Sequence, residues 1–440
     1  MTPHQSLSLR SLCTLMPNAL NIHVADQIED LNSLGNPTFN GDDFYQKTHV
    51  TGGLKDLLRL GLGRLAGDSS LGVFHLKQAM GGGKTHLMLA LGLAARDPEL
   101  RQRHIPTLAP KGLGVAKVAT FYGRDNRAEF FWGWLAAQLG GAKEFARFWE
   151  EGPRAPGEND WIKLLSPLGP VLILMDELPP YFENLQTRPA GAGTQADVAG
   201  AAFANLLSAV GKCPNVAVVV SDLAASYHEG GKLIQRALDN ARQELGRQEK
   251  TIIPVELGSS EVYDILRKRL FATLPDAATK RKLAEAYAKA VDQAERAKIL
   301  PPGSKDLAEQ IEKTYPFHPR LEHIVAMFKE NKDFRQTRGL MEMVSRLLKS
   351  IWDGGNGGDA MLVGPQHFDF SLPETRQKFQ DLARMDEVVA KDIWSSDGSA
   401  HAQVQDGSRR DHITSQVVAT LLTASLSNSP GAKRGLMKED

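Results

Sequence analysis

The sequence predicts an α/β fold, a mostly parallel sheet with helices on both faces, followed by a helical lid and a mixed C-terminal extension. Two observations carry this. Short apolar runs at 71–76, 115–121, 171–175 and 216–220 alternate with stretches of helical spacing. From about residue 258 the strand-like runs give way to Ala-, Lys-, Glu- and Arg-rich helical sequence.

In chain order, residues 1–45 form an N-terminal segment of mixed character with short helices. Residues 48–66 place Leu54, Leu57, Leu58, Leu62 and Leu65 on one face of an amphipathic helix. A strand at 71–76 leads to Gly81, Gly82 and Gly83, and a helix runs from Lys84 to about Ala95, where Asp97-Pro98 closes it. After the strand at 115–121, residues 128–150 read as a helix carrying Phe130, Phe131, Trp132 and Trp134, and 151–160 as a loop. A buried strand at 171–175 ends in Asp176-Glu177, and 187–197 is a small-residue polar loop. A helix at 198–211, a strand at 216–220 and a strand at 251–255 complete the α/β part. Helices at 278–298, 319–331 and 337–352 follow, then a glycine-rich break at 353–359 and a strand-poor end. The expected division is an N-terminal segment 1–45, a core 46–257, a helical lid 258–352 and a C-terminal extension 353–440.

Composition narrows the partners. Lys plus Arg and Asp plus Glu both number 52, so no global field draws the 440-residue chain to nucleic acid or an acidic membrane. DNA could then be contacted only through a local patch that composition does not reveal. No apolar run approaches the length of a membrane span, and the first twenty residues make a poor signal peptide. Cys13 and Cys213 lie in unlike contexts and form no CxxC pair, which fits a reducing cytoplasm. His75, His86, His318 and His323 make no HExxH or Cys/His set, so no zinc is assigned, and His86 is expected to pack on its own helix.

The chemistry sits at the strand ends. Gly81, Gly82 and Gly83 allow the backbone to wrap an anion with N–H groups inward, and the next helix presents its positive end. Lys84 would reach the β- and γ-phosphates of ATP, His86 follows in the same turn, and the Thr85 hydroxyl would ligate Mg²⁺. This is the second half of a Walker A loop; Gln78 stands where its first glycine is expected. The acids of Asp176-Glu177 would emerge at the carboxyl edge of the sheet, where ligands bind in open α/β sheets. Asp176 suits the metal site and Glu177 the base that polarises water. An adjacent Asp-Glu fits water activation better than phosphoryl transfer to another acceptor. Ser221 either bonds the γ-phosphate or water, or caps a helix. Arg247 is either a finger for a neighbouring subunit's nucleotide or a solvated arginine. Arg338, with Arg335 as the alternative, either closes over the phosphates or decorates a helix surface.

Taken together, FHLKQAMGGGKTHLMLAL, FFWGWLAAQLGG, VLILMDELPPYF, RQEKTIIPVELGSSEVYDILRKRLF, YPFHPRLEHIV and FRQTRGLMEMV resemble, in that order, the bacterial and archaeal ATPases called domain of unknown function 499, from about residue 44 onward. The resemblance implies an AAA+ P-loop ATPase working in a phage-defence or restriction-like system, with methylase and helicase partners. It leaves the acted-on polymer and self-association open. The stretch around Arg247 is also similar to initiator-like AAA+ proteins of the Orc/Cdc6 type, which implies Arg247 as a trans-acting finger, Ser221 as sensor 1 and Arg338 as sensor 2. Members of the family are usually longer, so the end at GAKRGLMKED suggests a fragment.

Overall fold

The computed structural model describes residues 7–21, 30–77, 83–125, 130–222, 249–255, 261–299, 306–321, 336–353, 359–383, 386–407 and 412–425. The chain divides into two compact units, one of residues 28–255 and one combining 1–27 with 256–440.

The first unit is built on a five-stranded sheet. Its elements are α1 (Gly52–Ala66), β1 (Val73–Lys77), α2 (Lys84–Arg96), β2 (Lys117–Tyr122), α3 (Phe130–Leu139), β3 (Val171–Asp176), α4 (Leu178–Gln186), α5 (Gln195–Lys212), β4 (Val216–Asp222) and β5 (Glu249–Ile252). The strand order is β2-β3-β4-β1-β5 and every pairing is parallel. All six residues of β3 are buried, the expected state of a strand covered on both faces.

The side-chain period of two divides that strand between two cores. Val171, Ile173 and Met175 join one with Phe131, Trp132, Phe203 and Leu206 from α3 and α5. Leu172 and Leu174 join the other with Leu57, Leu58, Leu89 and Leu91 from α1 and α2. Each fully buried side chain of this size contributes roughly 1.5–3 kcal/mol before entropy is counted. β3 is thereby held in register from both sides, and a slip of one residue would exchange the two sets.

The amino edge of the sheet is tied by a buried cation. Arg64 of α1 donates from Nε to the Val216 carbonyl at 3.0 Å and from Nη2 to those of Val210 and Cys213 at 2.8 and 2.9 Å. These carbonyls lie at the end of α5 and the start of β4, and those of Val210 and Cys213 also accept the N–H groups of Cys213 and Val216. Arg64 thus joins α1 to the α5–β4 connection.

Several elements differ from the sequence expectation. The helix expected over 128–150 ends at Leu139, because Gly140 takes φ 89°, and resumes as Ala142–Ala146. The loop expected at 151–160 gives way to a helix, Glu158–Leu165, opened by Gly157 N–H donating to Asp160 Oδ2 at 2.9 Å. Within 187–197 a small antiparallel pair forms, Pro189–Ala190 with Gly193–Thr194, and Thr194 with Asp197 caps α5 three residues earlier than the apolar pattern suggests. The last strand of the sheet is shifted toward the N-terminus of the expected 251–255.

The second unit is largely helical: α6 (Glu261–Leu270), α7 (Ala277–Arg296), α8 (Leu307–Thr314), α9 (Gln336–Trp352), α10 (Pro373–Ala383) and α11 (Ile413–Ser425). Of the expected helix 319–331 only 319–321 are described, as the 3₁₀ turn Pro319–Leu321. The chain's start belongs here: Thr14–Leu15 pairs antiparallel with Phe271–Thr273, and Ser345 Oγ donates to the Ala19 carbonyl at 2.6 Å. Residues 28–45 lie instead with the sheet. Among the described residues no helix is long and apolar enough to cross a membrane.

Candidate functional site

The polar groups gather where β1, β3 and β4 end. β4 lies between β1 and β3, with Leu76 opposite Ser221 and Met175 opposite Val220. The strand carrying Ser221 therefore separates the strand leading to the glycine run from the strand ending in acid.

Gly83 caps the start of α2 with φ 87° and ψ 12°, in the left-handed region where a Cβ is strained. Gly81 and Gly82 lie outside the described residues. Lys84 and Thr85 open α2, and Lys84 is only 6% exposed. The Thr85 hydroxyl donates to Asp176 Oδ2 at 2.6 Å. The other oxygen of Asp176 accepts the Ser221 hydroxyl and, at 3.0 Å, the Glu177 N–H. Ser221 Oγ also receives that N–H at 3.3 Å. Asp176 is 2% exposed, so its carboxylate is held by bonded donors rather than by water.

Glu177 follows with φ 55° and ψ 38°, a left-handed conformation unusual for a non-glycine residue, as the chain turns from β3 into α4. Its side chain is 17% exposed and its Oε2 accepts from Arg124 Nε at 3.1 Å. Burial, and then the neighbouring Asp176 charge, push its carboxyl above the ordinary carboxylate range, against the pull of Arg124 and Lys84. Such a carboxyl is a stronger base when ionised than an exposed glutamate.

Gly123 and Arg124 are site residues that the sequence reading missed. Gly123 N–H donates to the Asp176 carbonyl at 2.9 Å. A Cβ on Gly123 would stand 2.1 Å from the Glu177 carbonyl oxygen, so only glycine fits. The available signal was positional: Gly-Arg follows the apolar strand β2 as Asp-Glu follows β3, and the Tyr122–Asp176 register sets them side by side.

His86 points elsewhere. Its ring stacks on Phe44 with centroids 4.4 Å apart, and its Nε2 lies 3.0 Å from Thr48 Oγ1. Arg247 lies outside the described residues, as does Arg335. Arg338 sits in the first turn of α9, in the second unit, and its side chain is outside the described set.

The first unit is thus an α/β domain whose parallel sheet brings a lysine, two hydroxyls and two acids to one edge. The DUF499 N-terminal domain profile matches residues 15–109, and the DUF499 second domain profile matches residues 258–429. The chain therefore carries two domains of the DUF499 family. Gly83, Lys84 and Thr85 fall in the first matched stretch and Arg338 in the second; Arg124, Asp176, Glu177 and Ser221 lie between them. No curated protein matches the chain.

Proposed function

We propose that the first unit is a P-loop ATPase of the AAA+ type that binds ATP with Mg²⁺ and hydrolyses it. The observation that carries this reading is the 2.6 Å bond from Thr85 to Asp176, which ties the residue after the candidate phosphate-binding lysine to the acid at the end of β3. Hydroxyl and carboxylate together form a hard-oxygen pair of the kind Mg²⁺ takes alongside water and substrate phosphates.

In this reading Lys84 would bind the β- and γ-phosphates, and Thr85 with Asp176 would hold Mg²⁺, whose charge would supply electrostatic stabilisation at the phosphoryl oxygens. Glu177 orients the attacking water and accepts its proton; the shielded carboxyl supplies basicity, and the ionised form is required. Ser221, whose hydroxyl is bonded to Asp176, is proposed to help align that water. Arg338 and Arg247 are proposed as groups that close on the phosphates, the latter from another copy.

The family resemblance extends the proposal to a prokaryotic anti-phage or restriction-like system, in which turnover remodels DNA or a partner protein beside methylase and helicase components. One observation favours a second reading, a slow nucleotide-gated switch: the Glu177 carboxylate is already engaged by Arg124. Steady-state turnover with and without DNA separates the two. DNA stimulation supports the remodeller, and tight ATP binding with negligible turnover supports the switch. The activity itself is tested by Glu177→Gln, which should keep ATP binding and lose turnover. Equal rates in both proteins would remove Glu177 from the reaction.

A further inference from the structure

A pocket of about 300 Å³ is lined in part by Arg124, the residue whose Nε donates to Glu177 Oε2. Gly123, Arg124, Asp125, Tyr181, Asn184 and Arg188 contribute to its lining. Arg124 and Arg188 bring two guanidiniums to one small cavity. Arg188 is exposed, and its guanidinium makes no ion pair among the described residues. Asn184 adds an exposed amide from the last turn of α4, and Arg188 follows just beyond the end of that helix. The Asp125 carboxylate also lines the pocket, and accepts from Asn32 Nδ2 at 3.4 Å.

We propose that this pocket is a second oxyanion site that takes a phosphate group, distinct from the triphosphate site. Two guanidinium forks and an amide offer more donors than the two oxygens of a carboxylate can use, whereas a phosphate presents three or four oxygens. The site is coupled to the candidate base. Arg124 serves the pocket and the Glu177 carboxylate together, so a phosphate seated against Arg124 competes with Glu177 for the same guanidinium. Occupancy weakens the Arg124–Glu177 bond and loosens Glu177 for its task; conversely, removing the Glu177 charge strengthens phosphate binding. The consequence for turnover rests on the ATPase reading, but the binding does not. The shared chemistry is the phosphate group, whether free orthophosphate or the backbone of a nucleic acid.

The test is a calorimetric titration of the full chain with inorganic phosphate and, separately, with a fifteen-nucleotide oligothymidylate. Wild type is compared with Lys84→Ala, Arg188→Ala and Glu177→Gln. Lys84→Ala removes the proposed triphosphate site and should leave this binding within about twofold of wild type. Arg188→Ala should weaken it at least about tenfold, the loss of one charge-assisted bond, while ATP binding stays unchanged. Glu177→Gln should tighten it. Binding of phosphate alone assigns a small-anion site, and binding of both probes assigns a nucleic-acid backbone as a ligand. Phosphate affinity that is lost with Lys84→Ala, or is equal in wild type and Arg188→Ala, overturns the proposal. ATP binding unchanged in Lys84→Ala, with no turnover change in Glu177→Gln, would instead count against the ATPase reading and leave the pocket standing.

Discussion

Thr85 and Asp176 are 91 positions apart in sequence and joined by a 2.6 Å hydrogen bond, from the hydroxyl on the first turn of α2 to the carboxylate that ends β3. The bond exists because β4 is inserted between β1 and β3, which brings the two strand ends to one edge with Ser221 between them. Asp176→Asn should cut Mg²⁺-dependent ATP turnover by about 100-fold or more, because an amide is a poorer metal partner and must turn its NH₂ toward a donor. Destabilisation should stay near about 1–3 kcal/mol. Turnover measured against Mg²⁺ concentration, with chemical denaturation alongside, checks both numbers.

Burial raises the Glu177 carboxyl, so the folded protein binds a proton there at higher pH than the unfolded chain does. Stability from this group is therefore unaffected below the ordinary glutamate range and falls as pH rises through the raised value. Glu177→Gln should raise Tm at neutral pH and lose that advantage near pH 3. In turnover, the acid limb of the pH profile should lie above the ordinary carboxylate range. Arg124→Ala should move that limb higher still, since the opposing cation is gone. A limb that does not move in Arg124→Ala would contradict the assignment of the ion pair.

Gly123→Ala brings a Cβ to 2.1 Å from the Glu177 carbonyl, where backbone must shift. The expected result is a loss of about 2 kcal/mol of stability and at least a tenfold loss of turnover, because Glu177 is displaced by its own main chain. Alanine at Gly112, beside which nothing lies within 4 Å but where φ is 82°, should cost only about 1 kcal/mol and leave turnover intact.

Arg64→Met should destabilise the first unit by about 3 kcal/mol or more. The methionine fills much of the volume, but the carbonyls of Val210, Cys213 and Val216 lose the buried guanidinium donors that Arg64 supplies. Urea denaturation followed by tryptophan fluorescence measures this, with Trp132 and Trp161 buried in the affected core.

His318 and His367 in the second unit are both held down to about 4, chiefly by burial. The unfolded chain protonates them near 6.5, so it binds more protons between the two values and stability falls as pH drops through that window. For His367 the full effect is on the order of 3 kcal/mol. His367→Gln should flatten the acid side of the stability profile between pH 6.5 and 4, while leaving the profile above pH 7 unchanged.

The sheet was legible because β3 and β4 are uninterrupted aliphatic runs, and the acids of Asp176-Glu177 mark a strand end unambiguously. The strand order was not, since nothing in one chain says that β4 pairs with both β1 and β3. Hence the triple contact of Asp176 with Thr85, Ser221 and the Glu177 N–H emerges only in space. Arg124 was overlooked for the same reason: a lone arginine after a strand has meaning only once the Tyr122–Asp176 register sets it against Glu177. The helix at Glu158–Leu165 was hidden by the Pro and Gly residues before it, although the Gly157–Asp160 cap was present in the sequence.

The most direct measurement is Mg·ATP binding by calorimetry to wild type and to Lys84→Ala. Convergence of Lys84, Asp176 and Glu177 on one triphosphate predicts saturable binding of one nucleotide per chain in wild type. It also predicts a loss of at least about tenfold in affinity in the variant, with the fold retained. Equal affinity in the two proteins, or no nucleotide bound by either, would contradict it.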